Sequence, residues 1–301
     1  MDQPRFVIEA AEAKSMAQKA GLTLHQLLPT LVKSAQTLAR TPISKFHVGA
    51  VGLGSSGRIF IGVNMEFPGV ALNQSIHAEQ FLITNLVLNA EPQLRYFAVS
   101  AAPCGHCRQF LQEIRNASHI KLSITETDCD CEPKYQHLSH FLPDRFGPDA
   151  LLDKDVPLLL ENHQNGLKFN GYQQNITCNG NGQVSEKLKL AALDAANKSH
   201  APYSKCPSGV ALMDCEGKFY QGPYMESAAY NPSLGPVQAA LVAYVAGGGG
   251  GGYERIVAAV LVEMEGVVVR QQHTVKSLLE EISPKCELHV FYCVQDFSVS
   301  C

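Results

Sequence analysis

Long apolar runs are missing from this 301-residue chain. No stretch approaches the roughly 18 consecutive apolar residues that a membrane span needs. The start, Met1-Asp2-Gln3-Pro4-Arg5 and then Phe6-Val7-Ile8-Glu9, breaks into charge too soon for a secretory signal. No membrane partner is expected, and the chain reads as cytosolic. Excess positive charge is missing too. A net charge of −4 and a pI of about 6.3 speak against a dedicated nucleic-acid binder, which would carry a basic face. Charged residues make up 17% against 46% hydrophobic, so the chain is globular rather than disordered, and its length allows two domains. Cysteine, in contrast, is plentiful. Ten cysteines without a secretory signal read as reduced thiols rather than a disulfide framework.

Periodicity predicts alternating helices and strands. Residues 6–20 are Ala-rich and charge-flanked, and read as a helix that Gly21 stops. Thr23 caps a second helix running to about Arg40, with Leu27, Leu28, Leu31, Val32, Ala35 and Leu38 on one face. Pro29 stands beyond its first turn and is expected to kink or split it. Residues 46–51 and 58–64 read as strands joined by the turn Gly54-Ser55-Ser56-Gly57. A helix follows over about 75–90, with Ile76, Phe81, Leu82, Leu86 and Val87 inward. Then come a strand at 94–100, a helix opening near Cys104 and a strand at 120–125. This alternation indicates a layered α/β domain.

After a segment rich in Asn, Gln and Gly, read as a connection, the pattern returns. Ser204-Lys205 repeats Ser44-Lys45. Gly217, Gly222, Met225 and Glu226 repeat Gly57, Gly62, Met65 and Glu66 at the same offset. Asn231 and Ser233 follow Asn73 and Ser75 after a short slip, and Leu279-Glu280-Glu281-Ile282 resembles Leu111-Gln112-Glu113-Ile114. So many matches in order imply a duplicated domain. The expected organisation is an N-terminal helical segment (1–20), a first domain (21–150), a connecting segment (151–183) and a second copy (184–301). The glycine run 247–252 is expected to be a flexible surface loop.

Two stretches carry chemistry: His77-Ala78-Glu79 and Pro103-Cys104-Gly105-His106-Cys107. One imidazole and two thiolates are a recognised ligand set for a tetrahedral zinc that keeps its fourth position for water. Both stretches lie where helices begin, and the partial positive charge there favours thiolates. Cys104 and Cys107 are one helical turn apart, so both sulfurs can reach one ion. Glu79 is then free to move protons. A structural zinc usually wants four protein ligands, and His106, between the thiolates on a tight turn, is a strained fourth. Cys129-Asp130-Cys131 has no partner pair and reads as a surface loop. In the second copy Gly235 and Val237 replace His77 and Glu79, and roughly Gln272 and Val275 replace the two cysteines. One zinc per chain is therefore expected.

These motifs resemble those of the cytidine deaminase family. The layout is similar to its two-domain, homodimeric type, which implies two tandem deaminase-like α/β domains, each a mixed sheet flanked by helices, the second copy degenerate. The resemblance implies hydrolytic deamination of free cytidine and 2′-deoxycytidine to uridine and 2′-deoxyuridine with release of ammonia, in pyrimidine salvage. Zinc-activated water attacks C4 and Glu79 shuttles protons. It also implies that Phe46, in Phe-x-Val-Gly-Ala, stacks on the base. Asn64 and Glu66, in Asn-x-Glu, bind the ribose 3′-hydroxyl, and the backbone near Ala78 and Ala102 bonds the base. A carboxylate at that place would repel a phosphate, which favours a free nucleoside. Glu226-Ser227-Ala228-Ala229-Tyr230 resembles a stretch that smaller tetrameric relatives contribute across subunits. Ala228, Tyr230 and Phe146 are thus candidates for a cross-subunit pocket. The alternatives are cytosine deamination in RNA or DNA at the same site, and a non-catalytic zinc-stabilised scaffold. No added basic segment supports the first, and an intact Glu79 weighs against the second.

Overall fold

A computed structural model describes residues 5–125, 133–169, 176–177, 185–249 and 251–295. The first sheet has six strands in the order β1-β3-β2-β4-β5-β6. In chain order its elements are β1 (Val7–Ile8), α1 (Ala10–Ala20), α2 (Leu24–Gln36), β2 (Gly49–Gly54), β3 (Ile59–Val63) and α3 (Ala78–Leu88). They continue with β4 (Leu94–Val99), α4 (Gly105–Phe110), β5 (Lys121–Ile124), β6 (Gln136–His137) and α5 (Leu138–Phe141). Strands β4 and β5 run parallel, joined through α4, while the other pairs are antiparallel. Helices α2 and α3 cover opposite faces. A Cβ at Gly49 would meet Ala35 of α2, whereas one at Gly52 would meet Leu82 of α3. Strands β2 and β3 are therefore buried on both faces, and that burial removes the polar alternation of a one-sided sheet.

The chain then supplies β7 (Leu167–Phe169), β8 (Ile176–Thr177), α6 (Glu186–Asn197), β9 (Ser208–Asp214), β10 (Phe219–Pro223), α7 (Pro236–Ala246), β11 (Ile256–Met264), α8 (Gln272–Ile282) and β12 (Glu287–Gln295). The second sheet runs β10-β9-β11-β12-β7, with β8 also beside β12. It repeats the first in its antiparallel hairpin, covering helix and parallel pair β11–β12. The shared Gly62 and Gly222 have one physical reason. A Cβ at either would lie 2.2 Å from the first carbonyl of the covering helix, Ala78 O or Pro236 O, so only glycine lets helix and strand approach so closely.

The copies stack through α3 and α7. Residues 78–86 of α3 are all buried, because one side faces β3 and the other faces the second copy. The contact reads the same both ways. Gln80 Nε2 donates to the Pro232 carbonyl at 3.3 Å, and the equivalent Gln238 donates to Gln74 Oε1 at 3.1 Å, Gln74 being the counterpart of Pro232. A repeated pair contact of this kind is the mark of an isologous, two-fold arrangement.

Three expectations change. Residues 6–9 are not helical: Val7 and Ile8 pair with Phe60 and Ile59, and Phe6 stacks on Phe81 with ring centres 5.1 Å apart. The glycine run is not a free loop. Gly249 is buried, its carbonyl accepts from Arg40 at 2.8 Å, and a Cβ on it would strike the Tyr244 ring at 2.5 Å. Pro29 lies within one helix, Leu24–Gln36, capped by Thr23. A proline here frees the carbonyl four residues earlier, that of His25, and the Tyr135 hydroxyl donates to it at 2.6 Å. Tyr135→Phe should therefore cost about 1 kcal/mol of stability. In a Pro29→Ala background, where an amide can take that carbonyl, the cost should shrink. Urea unfolding of the four proteins of the cycle measures it, and an equal cost in both backgrounds would reject the account. The Cys129-Asp130-Cys131 stretch lies outside the described residues.

Candidate active site

His77 is the residue before the first turn of α3, and Cys104 holds the same place on α4. Each N-terminus is set by neighbouring side chains. Gln80 Oε1 accepts the His77 amide at 3.2 Å. Arg108 donates to the Pro103 carbonyl at 2.6 Å and to the Phe141 carbonyl at 3.1 Å, fixing the turn that enters α4. The two termini converge. His77 Nδ1 lies 3.4 Å from Cys104 Sγ and 3.2 Å from Cys107 Sγ, and the three donor atoms fall within 4.8 Å of one another. Ligand bonds of about 2.0 Å to nitrogen and 2.3 Å to sulfur put tetrahedral ligands about 3.6 Å apart, so the donor set fits zinc.

The three groups interact electrostatically. Bonding to Cys107 and His77 brings the Cys104 thiol down to about 3, while its bond with Cys104, together with burial, pushes Cys107 well up. Bonding to Cys104 raises the His77 imidazole, and a cation held by the three groups would favour both thiolates and the neutral ring. Glu79 is 5% exposed, with Oε2 3.4 Å from the Cys107 sulfur. Burial raises its carboxyl above the ordinary value. A cation held by the three ligands would pull it back toward the ionised form. Nδ1 of His77 faces the sulfurs, whereas His106 Nε2 accepts from Gln80 Nε2 at 3.1 Å and so points to a different partner. Burial and the neighbouring His77 push His106 down toward neutrality. Among the described residues no other group of His, Cys, Asp or Glu is arranged for a metal.

The description "Cytidine and deoxycytidylate deaminase zinc-binding region" matches the chain twice, over residues 22–122 and 138–276. Cytidine deaminase 1 of Arabidopsis thaliana is 63% identical over 98% of this chain and 100% of its own length. The chain belongs to the cytidine deaminase family. Cytidine deaminase 6 of the same plant is 50% identical over 93% of this chain and 96% of its own, and a cytidine deaminase of Photorhabdus laumondii is 40% identical over 91% and 85%. As a member of this family the chain is a zinc-dependent enzyme of cytidine deamination, with two tandem α/β domains. No helix among the described residues is long and apolar enough to cross a membrane.

The other residues singled out from the sequence sit as follows. Asn64 spans the start of the hairpin: Oδ1 accepts the Val48 amide and Nδ2 donates to the Phe46 carbonyl, both at 2.9 Å. This side chain takes the place of a strand partner, so β2 begins at Gly49 and Phe46 stays in a loop, 58% exposed. Glu66 accepts the Ile43 and Ser44 amides, each at 2.9 Å, and the Ser44 hydroxyl. Partial burial opposes ionisation, but the bonds from Ser44 and Ile43 hold this carboxyl below its ordinary value. Glu226 makes the same three bonds, to Tyr203 and Ser204, in the copy without metal ligands. Ala78 is buried at the head of α3. Phe146 is 46% exposed on a loop tied to α4 through Gln109, and Tyr230 is 66% exposed in a left-handed conformation with φ 59°. Ala228 is buried, and its amide donates to Glu113 of the same chain. Gln80 and Glu113 escaped the sequence reading. A Gln three residues after a helix-capping position is a signal for the first, but Glu113 carries none, since its partners are far along the chain.

Proposed function

We propose that the chain hydrolyses free cytidine and 2′-deoxycytidine to uridine, 2′-deoxyuridine and ammonia, serving pyrimidine salvage as a cytosolic homodimer. The observation that carries this reading is one buried carboxylate, Glu79, beside one open three-ligand cluster. His77, Cys104 and Cys107 would hold the zinc, which supplies a water acidified enough to be a nucleophile near neutral pH. Glu79 takes a proton from that water at Oε2 and passes it to the pyrimidine N3. As the water oxygen bonds to C4, Glu79 carries the proton left on that oxygen to the amino group, which departs from C4 as ammonia and leaves a carbonyl behind. Phe46 stacks on the base, Ala78 offers backbone to it, and Asn64 and Glu66 meet the ribose 3′-hydroxyl. Both side chains keep hydrogen-bonding capacity beyond the loop contacts they already make, since a carboxylate has about four acceptor sites and an amide two donors. Phe46, Phe146 and Tyr230 are all exposed, and in the proposed dimer Phe146 and Tyr230 are the side chains that a second subunit's pocket would take up.

The test is steady-state kinetics on cytidine, 2′-deoxycytidine, CMP and a C-containing oligonucleotide, with zinc counted and mass in solution measured on the same sample. The two nucleosides should be used with kcat/KM within about tenfold of each other, because a 3′-hydroxyl contact does not distinguish them (tenfold is about 1.4 kcal/mol). Zinc should be near one per chain. Action on the oligonucleotide alone would overturn the reading.

A further inference from the structure

The turn that continues α4 ends on Glu113, six residues after Cys107, and this carboxylate is fully buried. Among the described residues, every partner of its carboxylate oxygens lies in the second copy. Oε1 accepts the Ala228 amide at 2.7 Å. Oε2 accepts the Tyr203 hydroxyl at 2.6 Å and faces His200 Nε2 at 3.3 Å. His200 is itself 1% exposed, and its Nδ1 has no partner among the described residues, so the Glu113 contact orients that ring. A buried carboxylate persists only where donors replace its water, and here the second copy provides all of them. The same copy supports α3 as well, through the Pro232 carbonyl that takes Gln80, the neighbour of Glu79.

We propose that Glu113 is a positioning residue for the zinc site. It seats the ligand-bearing helix α4 on the Tyr203 and Ala228 segments, so that the copy without metal ligands supports the metal centre of its own chain. This rests on the zinc-site reading above. Groups hydrogen-bonded to metal ligands typically change metal affinity or activity about 10- to 100-fold when removed. Glu113 bonds to Ala228, Tyr203 and His200 rather than to a ligand and acts through α4, so the low end of that range is expected.

The full-length zinc-loaded protein is compared with Glu113→Ala, Glu113→Gln and Tyr203→Phe. Tyr135→Phe serves as a control that weakens the fold away from the metal. The readouts are the rate of zinc transfer to a coloured chelator, and kcat and KM on cytidine separately. Glu113→Ala should release zinc about tenfold faster and lose about tenfold in kcat, with KM within about threefold. Glu113→Gln keeps an acceptor for the Ala228 amide and should recover most of both. Zinc release and kcat in Glu113→Ala no different from those of Tyr135→Phe would overturn the proposal. If Glu113→Ala does not fold, Tyr203→Phe decides: release about threefold faster supports the role, and an unchanged rate rejects it. Failure of the zinc-site reading would look different, since the unmodified protein would then hold no zinc or leave cytidine untouched.

Discussion

Glu79→Gln should lower kcat on cytidine by about 10⁴-fold or more while zinc stays bound. General acid–base groups typically contribute 10²- to 10⁴-fold, and in the proposed mechanism one carboxylate serves two proton transfers in succession. Glutamine keeps the shape and can still hydrogen-bond, but it neither accepts a proton from water nor returns one. Because Glu79 is not among the three clustered donor atoms, zinc content should be unchanged. Removing a carboxylate buried to 5% exposure should leave the melting temperature equal or higher, as commonly happens when a strained active-site group is neutralised. Loss of the cytidine absorbance and ammonia release measure the rate. Turnover within tenfold of the unmodified protein would remove Glu79 from the mechanism.

Cys107→Ser should abolish both zinc binding and turnover. Cys107 has no exposed surface and is placed between His77 and Glu79. A serine oxygen there is a neutral, hard donor in place of a soft thiolate. It leaves two ligands where a catalytic zinc needs three. Zinc per chain should fall to near zero after dialysis, activity should drop by about 10⁴-fold or more, and added zinc should not restore it. The melting temperature should also fall, since a metal that binds only the folded chain stabilises it by mass action. Elemental analysis on the dialysed protein settles the matter, and a full complement of zinc in Cys107→Ser would contradict the assignment of ligands.

The chemistry was legible where residue type and local spacing carry it. His77, Cys104 and Cys107 could be read because few residues bind zinc and because two helix starts bring them into reach. The duplication could be read because Gly62 and Gly222 answer the same steric demand. What was not legible depends on partners far along the chain. Pro29 should break a helix unless something satisfies the His25 carbonyl, and the hydroxyl that does so belongs to Tyr135. The glycine run suggested freedom because glycine adopts any φ, but here its lack of a side chain serves contact with Tyr244 and Arg40. Two-residue β1 is too short for periodicity to register. A single domain needs only one inward face on α3, whereas here its other side meets α7.

The bonds shared by Glu66 and Glu226 give the duplication an experimental use. Both carboxylates hold equivalent loops by the same three contacts, yet only the first belongs to the copy that carries the metal ligands. The second copy is therefore a blank carried on the same molecule. Whatever a change at Glu226 does to folding estimates the structural share of the same change at Glu66, and the proposed nucleoside contact predicts a remainder in KM.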